Sequence, residues 1–482
     1  MDATLAVLVT VIVLALIFDF INGFHDAANS IATVVATRVL TPLQAVTMAA
    51  FFNFVSFLVF PLAVADTIAK TVNPAIVDNA VIAAALIGAS GWNLITWHHG
   101  LPSSSSHALT GALIGTAVTK WLLTPALFGD ASMAPHMGTL LNLGALGKVL
   151  LFIALAPLVG LALGGGIALA LTWIIRSRAI ANVTGPLLGL LVFGLAAHAS
   201  GWSNEPWRLH LGTGHDIDMG LPMAVWGWIL GLLVAVGVVY LFRDPRPKNI
   251  KNLFRRGQIL SAAFYSLGHG GNDAQKTMGI IIALLLSVPI VTVMGADGKP
   301  VVGKDGKEVK VPALDDKVRD EKGNLVYKTD KSGKPIQKID KATKEPVFKD
   351  GKPVYEVKKK DPDEYVPLWV VLSCHAAMGL GTLFGGWKIV KTMGRKLIHL
   401  RPVDGFCAEG GAAVTLVLTA VSGISVSTTQ TITGSIVGVG AVNGIGGVKW
   451  GVFERIIYAW ILTIPGAFVI AGVSWVVFSR FG

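Results

Sequence analysis

GFHDAANSIAT, residues 23–33, sets one ionisable carboxyl, Asp26, among small and apolar residues, directly after the uncharged run Leu5–Leu16. An ionised carboxylate in such surroundings is costly unless something pairs with it, so an acid there points to function before structure. The stretch recurs. GGNDAQKTMGI, residues 270–280, matches Gly23 with Gly270, Asp26 with Asp273 and Ala27 with Ala274.

A second pair of stretches follows the first in the same order. SSSHALTGALIG at 104–115 matches STTQTITGSIVG at 427–438, aligning Ser104 with Ser427, Thr110 with Thr433 and Gly115 with Gly438. Ser104 follows Asp26 by 78 positions and Ser427 follows Asp273 by 154, and a charged segment at 295–365 accounts for nearly all of the difference of 76. The chain therefore reads as two halves of similar spacing, one carrying an insert.

Composition sets the environment. Of 482 residues, 53% are hydrophobic and 14% charged, with a mean hydropathy of +0.63; a soluble chain of this length carries more charge. Val149–Ile175, Met223–Leu241 and Ile457–Phe478 approach or exceed the ~20 residues that cross the hydrocarbon core. Met1-Asp2 gives the first run no basic leader, so it reads as a membrane segment rather than a cleaved signal. Cys374 and Cys407 imply no disulfide framework. The net charge is +11, and basic residues cluster in short loops between apolar runs, which argues for the positive-inside rule and against nucleic acid.

Arg243–Arg256, Lys388–Arg401 and the Arg176/Arg178 pair are placed on the cytoplasmic side. Both termini, the Ala65–Asn79 loop and the loop with Trp202, Glu205, His210, His215 and Asp216 then fall outside, with about eight full spans by the length rule. The first Asp motif is entered from outside and the second from the cytoplasm, so the expected architecture is an all-α polytopic membrane protein with an inverted-topology repeat. Glycine- and serine-rich stretches near 80–120 and 404–447 are expected to be re-entrant hairpins. The expected divisions are 1–175 for the first repeat, 176–256 for connecting spans and a basic loop, 257–294 and 366–482 for the second repeat, and 295–365 for the insert. Repeated DGK and KGN turns between β-branched residues make that insert a small extracellular β-meander, the alternative being a disordered charged loop.

Asp26 and Asp273 are candidate cation sites for sodium or protons, with Asn272 beside the second. Asn29 and Gln275 offer amides to an ion or an anion oxygen. Lys276, which matches Asn29, either neutralises an Asp or contacts the anion. Ser104, Ser105 and Ser106, and Ser427, Thr428 and Thr429, each open a helix-compatible stretch. Two helix N-termini there would cradle a tetrahedral oxyanion with N–H and O–H donors. Alone, a serine run would be read as bonding its own helix, but its duplication at matched positions favours a binding role. His25 and His107 are candidates for titration near neutral pH, and Glu409 is read as structural. GASG at 88–91 and AHASG at 197–201 resemble, in order, rhomboid-protease motifs, but an intramembrane serine hydrolase leaves both Asp motifs unexplained. No catalytic residue, cofactor or resident metal is expected.

The four ordered motifs resemble those of the PiT family of inorganic phosphate transporters over all but 295–365. The resemblance implies a homodimer in the cell membrane that carries phosphate by symport with sodium or protons. It implies phosphate between the two hairpins and cations at the Asp motifs, and so assigns Asp26, Asn29, Asp273 and Gln275 with both hydroxyl runs. His25 stands where many relatives carry Asn, some bacterial relatives carry metal–phosphate complexes, and some members of the family carry sulfate instead.

Overall fold

The computed structural model describes residues 3–69, 78–128, 143–176, 190, 206–211, 215–222, 247–292, 310–312, 348–349, 352–353 and 365–480. Residues 1–284 and 368–482 group as one compact unit and 285–367 as another. The first unit is helical. Its principal helices are α1 (Ala3–Ala36), α2 (Pro42–Val55), α3 (Ala63–Ala69), α4 (Asn79–His99), α5 (Ser105–Phe128), α6 (Leu143–Arg176), α7 (Pro247–Ser287), α8 (Leu368–Phe384), α9 (Trp387–Lys391), α10 (Pro402–Val421), α11 (Thr428–Val442) and α12 (Trp450–Phe478).

Among the described residues five helices are long and apolar enough to span a membrane, or six if α8 and the helix after it, bent by 58° at Gly385–Gly386, form one span. Gly385 has φ +64°, a conformation open to glycine at little cost, and this breaks the helix. The expected span Met223–Leu241 lies outside the described residues. The burial pattern is that of a protein dissolved in lipid. Leu158 and Val473 are each 61% exposed, whereas Asp19, Asp26, Asp273 and Glu409 are buried. Apolar outside and charged inside is stable where the solvent is hydrocarbon.

Matched glycines set the closest packing. Gly111 and Gly115 of α5 press on the carbonyls of Ile464 and Phe468 in α12, and Gly434 and Gly438 of α11 press on those of Pro157 and Leu161 in α6. A Cβ at any of the four would overlap backbone, so only glycine allows these helices to approach so closely. The hydroxyl-run helices α5 and α11 are thereby held by corresponding residues, each against a helix with an internal proline, Pro465 and Pro157 respectively.

Three details go beyond the sequence reading. Residues 65–69, expected in a loop, belong to α3. The basic residues from Lys248 to Arg256 are the first turns of α7 rather than a loop before it. Pro206–Leu211 (β1) and His215–Pro222 (β2) form an antiparallel hairpin pairing His210 with Asp216. In the second unit Pro289–Thr292 (β3) pairs with Lys310–Pro312 (β4), and Phe348–Lys349 (β5) with Lys352–Pro353 (β6). The other residues of the insert, on which the expected meander depends, lie outside the described set.

Candidate anion and cation site

α1 and α7 carry the two Asp motifs as continuous helix, and α5 and α11 bring the hydroxyl runs to them by their N-termini. Ser427 is the N-cap of α11, accepting from the Gln430 N–H at 3.2 Å. Ser104 plays the matching part for α5, accepting from the His107 N–H at 3.2 Å. Such a cap satisfies one of the four N–H groups that a helix start leaves free. The first serine of each run is thus occupied by its own helix, while Ser105, Thr428 and Thr429 reach the carboxylates and Ser106 meets Lys276.

Ser105 donates to Asp26 Oδ2 at 2.5 Å, and its counterpart Thr428 donates to Asp273 Oδ2 at 3.1 Å. The third hydroxyls cross between halves. Thr429 accepts from the Asn29 amide at 2.9 Å and lies 3.4 Å from Asp26 Oδ1. Ser106 accepts from Lys276 and donates to the Val426 carbonyl at 3.3 Å. Lys276 also donates to Asp273 and, at 3.1 Å, to the Val426 carbonyl. The ammonium therefore stands between the two helix starts, and a small cavity bounded by Ser106, Thr110, Lys276 and Ser425 opens beside it.

Asp26, His269 and Asp273 each present a ligand atom within 4.8 Å of the others, all three residues buried. Two carboxylates so close repel unless positive charge lies between them. Lys276 supplies part of it, and the His269 ring lies 3.2 Å from Asp273 Oδ2. On the other side His25 pairs with Asp26 at 2.7 Å through Nδ1, while Nε2 meets Thr96 at 3.1 Å and Ser103 at 3.3 Å. An oxygen-rich, acid-bearing pocket of this kind suits a small hard cation.

The remaining candidates are dispersed. Asn272 donates to the Gly268 and Leu416 carbonyls and leaves its Oδ1 without a partner, an oxygen available to an ion. Gln275 is engaged elsewhere: its Oε1 accepts from the Val64 and Ala65 N–H groups at 3.0 and 3.2 Å, its Nε2 donates to Pro61, and so it caps α3. His107 is buried with neither ring nitrogen bonded. Glu409 accepts from Thr33, Gln258 and Ser261, the last at 2.5 Å, which fits a structural carboxylate. Residue type alone does not single out Thr96, Ser103 or His269. His269 lies four residues before Asp273 on the same helical face, a spacing that could have flagged it.

The fold has a counterpart among solved structures, and the sequence has named relatives. A chain titled "The sodium-dependent phosphate transporter" superposes with a TM-score of 0.65 over 98% of this chain and 99% of its own, at 21% identity, which establishes a shared fold. "Probable low-affinity inorganic phosphate transporter" of Rhizobium meliloti (strain 1021) is 37% identical over 98% of each chain, and the protein of that name in Bacillus subtilis (strain 168) is 30% identical over 99%. The low-affinity inorganic phosphate transporter PitA of Escherichia coli (strain K12) is 28% identical over 95% of this chain and 93% of its own. The profile of the Phosphate transporter family matches residues 22–471. This chain, a multi-pass membrane protein and not an enzyme, belongs to the phosphate transporter family.

Proposed function

We propose that the chain imports inorganic phosphate across the cell membrane by symport with sodium or protons, the anion binding where α5 and α11 begin. The observation that carries the reading is Lys276, buried between Ser106 of one helix start and Val426 just before the other, with a cavity at its side. Helix N-termini present N–H groups and the positive end of the dipole, hydroxyls add donors, and an ammonium adds charge. Ser105, Ser106, Thr428 and Thr429 are the contributing hydroxyls, Asn29 supports Thr429, and Ser104 and Ser427 hold the helix starts in shape.

Charge balance argues for coupling. With both carboxyls and the ammonium charged and His25 and His269 neutral, the cluster carries one net negative charge. A phosphate dianion raises that to three, and at this burial the sum requires accompanying cations. Asp26, Asp273 and the free oxygen of Asn272 are the ligands we assign to them, and a metal–phosphate complex would meet the same balance.

In this reading the helix pairs α4–α5 and α10–α11 are re-entrant hairpins, the halves are inverted repeats, and access alternates by rocking about the bound anion. Both termini face outside, and the working unit is a homodimer in the bilayer. The test is radiolabelled phosphate uptake into proteoliposomes under imposed sodium or proton gradients, with sulfate as competitor. Gradient-driven uptake that sulfate does not reduce is expected. Transport of sulfate in place of phosphate would overturn the substrate while leaving the architecture standing.

A further inference from the structure

A second buried carboxylate lies on the same face of α1 as Asp26, seven residues before it. Asp19 is fully buried, and neither of its carboxylate oxygens has a hydrogen-bond partner. Asn22, on the same stripe, has neither amide atom bonded, and the Thr277 hydroxyl of α7 is likewise without a partner. These groups interact with Asp19, as does the Cys374 thiol of α8. Three buried polar side chains thus converge without a well-formed hydrogen bond to any protein group at their side-chain polar atoms. Native interiors rarely leave such a cluster unsatisfied.

The neighbouring cation cannot serve it. Lys276 has three N–H donors, and Asp273, Ser106 and the Val426 carbonyl take them all. Asp273 and Lys276 are the charged groups that Asp19 feels from α7, and they already form a pair. At ~1.5 Å per residue Asp19 sits about 10 Å along α1 from Asp26, too far to share its ion. Asp273 and Thr277, four apart on α7, parallel Asp26 and Asp19 on α1, so the two helices together carry a polar stripe from one acid to the other.

We propose that Asp19, Asn22 and Thr277 form a second cation site, distinct from the Asp26–His269–Asp273 cluster, which takes one positive charge as a sodium ion or a proton. One carboxylate with neutral amide and hydroxyl oxygens balances a monovalent ion and leaves a divalent one under-neutralised. The site does not depend on phosphate being the substrate.

The test is a count of bound cations on the detergent-purified full-length protein without phosphate: equilibrium binding of radioactive sodium at pH 8, and proton uptake on titration from pH 8 to 5. Asp19→Asn is expected to bind one sodium ion fewer per chain, or to take up one proton fewer, and the affected assay identifies the cation. Counts equal to wild type in both assays would overturn the site. Should Asp19→Asn not purify as a monodisperse protein, Thr277→Val keeps the charge and removes one ligand. It is expected to raise the half-saturating sodium concentration several-fold or, for a proton, to move half-uptake to a higher pH because the carboxylate loses a donor, and no change in either would equally overturn the proposal.

Discussion

The Asn29 amide donates to the Thr429 hydroxyl at 2.9 Å, tying the first Asp motif to the second hydroxyl run across 400 residues of sequence. Lys276 stands where Asn29 does in the matching motif, and it donates to Ser106, which stands where Thr429 does. The crossed contacts are equivalent, but one half uses a neutral amide and the other a cation. The two Asp residues therefore face unequal neighbours. Asp273 has a fixed ammonium, and Asp26 depends on His25, hydroxyl donors and whatever ion arrives.

That inequality predicts how the acids fail. Asp26→Asn and Asp273→Asn are each expected to abolish gradient-driven phosphate uptake while the protein still reaches the membrane. Asp273→Asn also strands the Lys276 ammonium, so its unfolding temperature should fall further than that of Asp26→Asn. Uptake measured beside membrane abundance separates the two effects. Normal uptake in both variants would sink the cation assignment.

Lys276→Met removes the ammonium and leaves Asp273 buried with His269 and Thr428 beside its oxygens and the Asp26 carboxylate within 4.8 Å. Breaking one side of a buried ion pair costs about 3–5 kcal/mol. Asp273→Asn combined with Lys276→Met removes both charges, and much of the lost stability should return without activity. Thermal unfolding of the single and double variants gives the coupling directly. Additive losses would mean that the pair contributes nothing.

Close approach at α11 and α6 is a separate target. Gly434→Ala puts a methyl into the Pro157 carbonyl and Gly111→Ala does the same at Ile464, with backbone on both sides and no room to yield. Each is expected to reduce the yield of monodisperse protein severely. Gly166→Ala, where nothing lies within 4 Å, is the control and should purify like wild type. Equal yields for all three on size-exclusion chromatography would refute the packing argument.

The parts of this site that were legible in the sequence are those that come twice. Asp26 and Asp273, and the two hydroxyl runs, stand out because isolated polar residues in apolar surroundings recur at matched positions. Partner choice was not legible. That Ser104 and Ser427 turn back to cap their helices while Ser105 and Thr428 face the carboxylates depends on the angle at which each helix starts. Gln275 reads as a ligand by residue type but lies on the side of α7 that meets α3, where free N–H groups claim it. Asp19 was overlooked because it has no acidic counterpart in the second half: the matching position is Ser266.

The insert offers a prediction about what the transporter does without. The two hydroxyl runs, both Asp motifs and all the contacts among them lie in residues 1–284 and 368–482, and residues 285–367 group by themselves. Its charge density contrasts with the apolar helices, and the two halves regain similar spacing once it is removed. Replacing residues 297–363 with a short Gly-Ser linker should therefore preserve phosphate uptake, since closing a loop of different length alters stability only weakly. Uptake per folded molecule within about twofold of wild type is the expected result. Loss of uptake at normal membrane abundance would show that the insert takes part in transport, and its strand pairs β3–β4 and β5–β6 would be the first places to look.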